Sequence, residues 1–121
     1  MIDSPSDRYV DVMEHRQLGQ LAVSVVGLGC NNFGMRIDAD QTARVVDAAI
    51  DAGINYFDTA ESYGRGMSEE YLGRALGDRR GDVLIASKWG HTVSLDDGER
   101  GGDPAQIRRR LDDSLRRLGT D

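Results

Sequence analysis

The chain has 121 residues, 15 glycines, two prolines, one cysteine and a formal charge of -6 at neutral pH, a length that fits one ordinary domain at most. Its acidity argues against nucleic acid as a partner for the whole domain, since a polyanion would be repelled. The lone cysteine, Cys30, excludes an internal disulfide and a multi-cysteine zinc site, no apolar run is long enough for a bilayer, and the first residues lack the basic start and apolar stretch of a secretory signal, so a reducing cytoplasm is the expected location.

Residues 1–12 are polar and mixed and read as a loose tail ahead of a domain over 13–121. Arg16 to Gly19, followed by Leu21 to Gly29, reads as a short strand, a glycine turn and further strand. Within it, Val25-Val26-Gly27-Leu28 is apolar on both faces, as a buried parallel strand would be. Asp38 with Gln41 predicts a capping box at the start of a helix. Val46, Ala49 and Ile50 are its apolar stripe, and Gly53 stands where a left-handed C-terminal cap belongs. A strand is predicted over 54–58.

Ser68, with Glu69 and Glu70 in the first turn, predicts a second helix; Leu72, Ala75 and Leu76 form its apolar side and Gly77 closes it. Residues 83–88 are the clearest strand. Period two puts Leu84, Ala86 and Lys88 on one face and Val83, Ile85 and Ser87 on the other. Residues 92–102 read as a polar, glycine-bearing, mobile loop. Asp103, Pro104 and Gln106 then combine an N-cap, a proline at the first helical position and a reciprocal glutamine. Ile107, Leu111, Leu115 and Leu118 share one face of that third helix and Gly119 ends it. Its arginines, Arg108, Arg109, Arg110, Arg116 and Arg117, are predicted to lie on a solvated face, with Asp112 meeting Arg116 and Asp113 meeting Arg117 at helical spacing. The order is a hairpin and then strand–helix three times, which implies an α/β fold with parallel strands and right-handed crossovers.

Two glycine patterns fail as nucleotide loops. Asn32 replaces the third glycine of a dinucleotide fingerprint, and Met35 and Arg36 replace the Lys and Ser/Thr of a phosphate loop. Glycine also serves simply as a sharp exit from a strand. Asp58, Tyr63 and Lys88 are a stronger set. Asp58 and Lys88 each end a strand-like run, at the edge where parallel α/β sheets bind ligands. A free phenol ionises near pH 10. A neighbouring ammonium favours the phenolate, and a carboxylate offsets the cost of desolvating that ammonium. Asp would orient Lys, Lys would tune Tyr, and Tyr would protonate a substrate oxygen. The plain alternative is an ion pair between Asp58 and Lys88 with Tyr63 nearby by accident. Trp89 either walls a substrate pocket or caps the sheet end. His91 reads as a surface histidine, Arg36 as solvated, and Cys30 lacks the surroundings of a nucleophile.

These segments resemble the aldo-keto reductase family. The stretches that carry the likeness are Val25 to Gly29 with Asn32 to Gly34, Asp51 to Gly64, Ser68-Glu69, Leu72-Gly73, Ala75-Leu76, Ile85 to Lys88, and Ser114-Leu115 with Arg117 to Asp121. The resemblance implies a TIM-type (β/α)8 barrel closed by a hairpin, and NADPH-dependent reduction of a small-molecule aldehyde or ketone. It implies Tyr63 as general acid, Lys88 as its partner and Asp58 as the residue holding Lys88 near the nicotinamide ribose. It places Gly29, Cys30 and Asn31 on a loop touching the nicotinamide half, and no metal. Many members have Thr where Cys30 stands. The family's histidine would follow a fourth strand beyond Asp121, and neither His15 nor His91 matches it. A full barrel needs about 250 residues, so the expectation is an incomplete barrel of three β/α units, truncated and inactive alone. Two open sheet edges would invite association. The alternatives are a complementing or interacting subunit, and a non-catalytic regulatory module that binds nicotinamide cofactor.

Overall fold

The computed structural model describes residues 12–91, 98 and 100–121. The tail expected over 1–12 therefore falls almost wholly outside the described residues, as does most of the loop expected over 92–102.

A hairpin opens the fold. Strand β1 (His15–Leu18) pairs antiparallel with β2 (Leu21–Ser24), with Leu18 opposite Leu21. Gly19, at φ +62, takes the left-handed conformation the two-residue turn requires. Most of the hairpin is exposed, but Ser24 at its end is buried, and hydrogen bonds to Asn55 attach it. The Asn55 carboxamide accepts from the Ser24 N–H at 2.8 Å and donates to the Ala22 carbonyl at 2.9 Å. The Ser24 hydroxyl accepts from the Asn55 N–H and donates to the Val26 carbonyl.

A three-stranded parallel sheet follows, β3 (Leu28–Gly29), β4 (Tyr56–Asp58) and β5 (Leu84–Ala86), in the order β3-β4-β5. Leu28 faces Phe57 and Gly29 faces Asp58, while Tyr56, Phe57 and Asp58 face Leu84, Ile85 and Ala86. The buried strand read at Val25-Val26 is corrected. Both valines are about half exposed, because the Val25 N–H still donates to Glu14 on the hairpin side and only Leu28 and Gly29 reach the ladder. All three strands are shorter than their apolar runs.

Helices α1 (Ala39–Asp51), α2 (Met67–Leu76) and α3 (Pro104–Leu118) pack on one side of the sheet, with α2 in contact with both α1 and α3. The core holds Phe57 and Val83 from the strand segments and Val46, Leu72, Leu76 and Leu118 from the helices. Each such side chain contributes about 1.5–3 kcal/mol by leaving water. At Gly73 a Cβ would stand 2.5 Å from the Leu118 carbonyl oxygen, so the α2–α3 approach requires glycine. The opposite sheet face carries Tyr56, Asp58, Leu84 and Ala86, all only partly buried.

Helix ends follow the sequence in part. The Asp38/Gln41 capping box forms with both reciprocal bonds, at 2.8 and 3.0 Å. Gly53, at φ +83, ends α1, with its own N–H on Ile50 and that of Ile54 on Ala49. In α2 the cap lies two residues earlier than predicted. Gly66, at φ +92, is the N-cap, and Ser68 is fully buried inside the first turn. The Asp103 side chain caps α3 by accepting from the Ala105 N–H, and the Gln106 carboxamide oxygen accepts from Arg109. Leu111 is 56% exposed, and the buried residues of α3 are Ser114 and Leu118. Neither predicted i,i+4 pair is made: Arg116 binds Asp113, and Arg117 is drawn to the buried Glu69.

Candidate active site

The parallel register puts the C-terminal ends of β4 and β5 side by side. Pairing runs past both strands, with the Thr59 N–H on the Ala86 carbonyl at 2.8 Å and the Glu61 N–H on the Lys88 carbonyl at 3.0 Å. Asp58 ends β4 and Lys88 lies two residues beyond β5, on the face away from the helices. Tyr63 starts a short 3-10 turn, Tyr63–Gly66, in which Gly64 and Arg65 both take left-handed backbone angles. Arg65, at φ +54, is the sole non-glycine residue at positive φ among those described. A single residue in that region costs on the order of 1–3 kcal/mol, and such strain clusters at functional sites.

The Lys88 ammonium gathers the set. It donates to the Asp58 carboxylate, to the Thr59 carbonyl at 2.8 Å and to the Tyr63 hydroxyl at 3.4 Å, and it lies 5.0 Å from the centre of the Tyr63 ring. The side chains of Lys88 and Asp58 remain 51% and 43% exposed, so the cluster opens outward. Partial desolvation pulls Lys88 down, but its hydrogen bonds to Asp58 and Tyr63 outweigh this and hold the ammonium above its ordinary range.

Beneath the cluster lies a buried polar layer. The Thr59 and Ser68 hydroxyls are 2.8 Å apart, and Ser68 also donates to the Cys30 carbonyl at 2.8 Å. Ser68 inside α2 thus ties that helix to the first loop, which is why it is not a cap. Glu69, fully buried, accepts from the Ser87 hydroxyl at 2.6 Å and from Arg117 Nε at 2.6 Å. Glu61, also buried, accepts from the Gly90 N–H at 2.9 Å and lies 3.8 Å from Arg110 Nε.

Asp58, Tyr63 and Lys88 are therefore brought together, and Gly29 joins them, since it lies opposite Asp58 with open space where a Cβ would stand. Asn31 is exposed beside them in sequence. Cys30 differs, because it is fully buried: its thiol points at the Leu28 carbonyl, its N–H donates to the Asp58 carbonyl and its own carbonyl accepts from Phe33 and Ser68, so the cofactor contact expected of it is not offered. Burial, with the Asp58 charge adding to it, pushes the thiol up to about 12. Trp89 is half exposed, donates to the Gly101 carbonyl at 2.9 Å, and with Ala60, Tyr63, Lys88 and Gly90 walls an open cleft of about 340 Å³. His91 and Arg36 are exposed. Among the described residues no group of three or more His, Cys, Asp or Glu could hold a metal ion, and no helix is long and apolar enough to cross a membrane.

Sequence reasoning missed Glu61, Glu69, Arg110 and Arg117. A signal was present for Glu69, since 69, 72 and 76 share one helical face, which places a carboxylate on the apolar side of α2. Arg110, Ser114 and Arg117 likewise form one stripe on α3.

The acid, the phenol and the amine thus gather at the C-terminal ends of parallel strands, the edge at which α/β folds bind ligands. The sequence profile of the aldo/keto reductase family matches residues 25–121, and the chain belongs to that family. An uncharacterised oxidoreductase of Bacillus subtilis, YqkF, is 43% identical over 115 residues, which cover 90% of this chain and 36% of that protein. A probable voltage-gated potassium channel subunit beta of Oryza sativa is 36% identical over 117 residues, covering 90% and 35%. Among solved structures, the holo form of the aldo-keto reductase AKR11C1 of Bacillus halodurans superposes with a TM-score of 0.77 at 41% identity, covering 91% of this chain and 38% of that one. The chain thus spans a little over a third of the length of these relatives, and its sheet is consistent with an incomplete barrel.

Proposed function

We propose that this chain contributes the proton-donating site of an NADPH-dependent oxidoreductase that reduces a small aldehyde or ketone to its alcohol. The observation that carries the reading is the Lys88 ammonium, which binds Asp58 and the Tyr63 hydroxyl at once. The family and its oxidoreductase members support it.

The residues present fit a nicotinamide cofactor. Asp58 offers a half-exposed acceptor for ribose hydroxyls, the missing side chain of Gly29 leaves the floor beside it clear, and the exposed Asn31 completes that edge. Reduced nicotinamide would supply the hydride to the carbonyl carbon. Tyr63 donates its phenolic proton to the carbonyl oxygen as that oxygen becomes negative, so the product is the neutral alcohol. Lys88 stabilises the resulting phenolate, Asp58 keeps Lys88 charged and in place, and solvent returns the proton. The Trp89 ring walls the cleft in which the substrate's organic group would rest.

The 121 residues alone are proposed to turn over slowly or not at all. The cluster is half exposed, and among the described residues β3 and β5 have no outer partner strand. A second reading, a cofactor-binding regulatory module or complementing subunit, is favoured by the rice relative and by those same edges. The test measures carbonyl-dependent NADPH consumption by the chain alone and by a chimera in which it replaces the matching part of the Bacillus halodurans enzyme. Turnover by the chimera that Tyr63→Phe abolishes supports the reductase. Robust turnover by the chain alone overturns the proposed inactivity, and cofactor binding with no Tyr63-dependent turnover favours the regulatory module.

A further inference from the structure

Glu61 is almost wholly buried and holds the same short segment twice. Its backbone N–H donates to the Lys88 carbonyl at 3.0 Å, and its carboxylate accepts from the Gly90 N–H at 2.9 Å. The two bonds grip the chain on either side of Trp89, immediately after the lysine whose Nζ must reach Asp58 and Tyr63. From α3, Arg110 Nε lies 3.8 Å from the other Glu61 oxygen, close enough to offset its charge but too far to hydrogen-bond it, with both side chains largely buried. Gly90, at φ +85, takes a conformation that favours glycine, and the Glu61 carboxylate holds the peptide between Trp89 and Gly90 by its N–H. A buried carboxylate also carries a large desolvation cost. An apolar side chain would pack at that position more cheaply, so the carboxylate's value lies in the N–H it holds.

We propose that Glu61 is a positioning residue for Lys88, acting through the Gly90 N–H so that the ammonium stays on Asp58 and Tyr63. The inference rests on the reading of Asp58, Tyr63 and Lys88 as one site. It extends that site to a residue touching neither substrate nor cofactor.

Lys88 is the only lysine in the chain. Acylation by trace acetic anhydride at about pH 8.5, where only unprotonated amine reacts, therefore reports on it alone once the α-amino peptide is separated by mass spectrometry. Asp58→Asn should raise the rate most. Glu61→Ala, and Glu61→Asp, which keeps the charge but falls short of the Gly90 N–H, should each raise it about threefold or more, equivalent to about half a pKa unit. Glu61→Gln keeps the acceptor and should match the unsubstituted protein. Val46→Ala, a core truncation on α1 that removes none of the hydrogen bonds of Lys88 or Glu61, controls for general loosening and should leave the rate unchanged. If Glu61→Ala does not fold, by circular dichroism, Glu61→Asp decides. An unchanged rate in the Ala and Asp variants, or an equal rise in the Gln or Val46 variants, overturns the proposal. If Asp58→Asn also leaves the rate unchanged, the three-residue site itself is wrong and the inference goes with it.

Discussion

Replacing Arg117 by Met tests how the site is held from behind. The Glu69 side chain is completely buried and has two partners, the Ser87 hydroxyl and Arg117 Nε, both at 2.6 Å. Methionine preserves much of the aliphatic stem that crosses Gly66, where an added Cβ would sit 2.8 Å from the Arg117 Cδ. The variant therefore removes chiefly the charge and leaves a buried carboxylate with one neutral donor. Breaking such a pair costs about 3–5 kcal/mol, a large part of the 5–15 kcal/mol typical of a domain. With a urea slope near 2 kcal/mol/M, the unfolding midpoint should fall by about 2 M. Glu69→Gln removes the buried charge, keeps an oxygen for Arg117 and turns an NH2 toward the Ser87 hydroxyl, which can accept from it, and should cost about 1–2 kcal/mol. The double variant should cost less than the sum of the singles, by about 1–3 kcal/mol. Urea titrations followed by circular dichroism on the four proteins measure the cycle. A loss below about 1 kcal/mol for Arg117→Met, or simple additivity, would show that this pair does not brace α2 against α3, and the account of the buried layer would fail.

Three further outcomes are expected. The Cys30 thiol, raised from its ordinary 9.0 to about 12, keeps its proton in the folded chain after the unfolded chain has lost it. Folding stability should therefore fall as pH rises from 9 toward 12, by up to about 1.4 kcal/mol per unit; Cys30→Ala should flatten that slope in denaturation curves taken at successive pH values. Lys88 has the same sign, since its raised folded value means a contribution present at neutral pH and lost above about 10.5, so part of the slope should survive in Cys30→Ala and vanish in Cys30→Ala/Lys88→Met. Gly73→Ala should destabilise by about 1–3 kcal/mol, because the added methyl would meet the Leu118 carbonyl; an unchanged thermal midpoint would refute the close α2–α3 approach. Asn55→Ala should free the hairpin at a cost of about 1–3 kcal/mol, read as faster amide exchange of Ala22 to Ser24 with β4 and β5 still protected.

Local signals in the sequence specified much of the fold. The Asp38/Gln41 box, Gly53, the Pro104 helix start and Gly119 each act within a few residues, so each end is legible without a partner. The alternation of strand and helix implies the parallel sheet, and the motifs around Asp58, Tyr63 and Lys88 imply the family and the members of the site. Tertiary structure decided what depends on long-range neighbours. Glu69 reads as a helix-dipole carboxylate until Ser87 and Arg117, which are 18 and 48 residues away, close around it. Ser68 reads as a cap until the Cys30 carbonyl, 38 residues back, claims its hydroxyl. Val25 and Val26 read as core until the hairpin holds the Val25 N–H and the ladder starts at Leu28. Short-range rules record what a residue prefers, whereas burial and ion pairing depend on which distant groups the fold brings within hydrogen-bond reach.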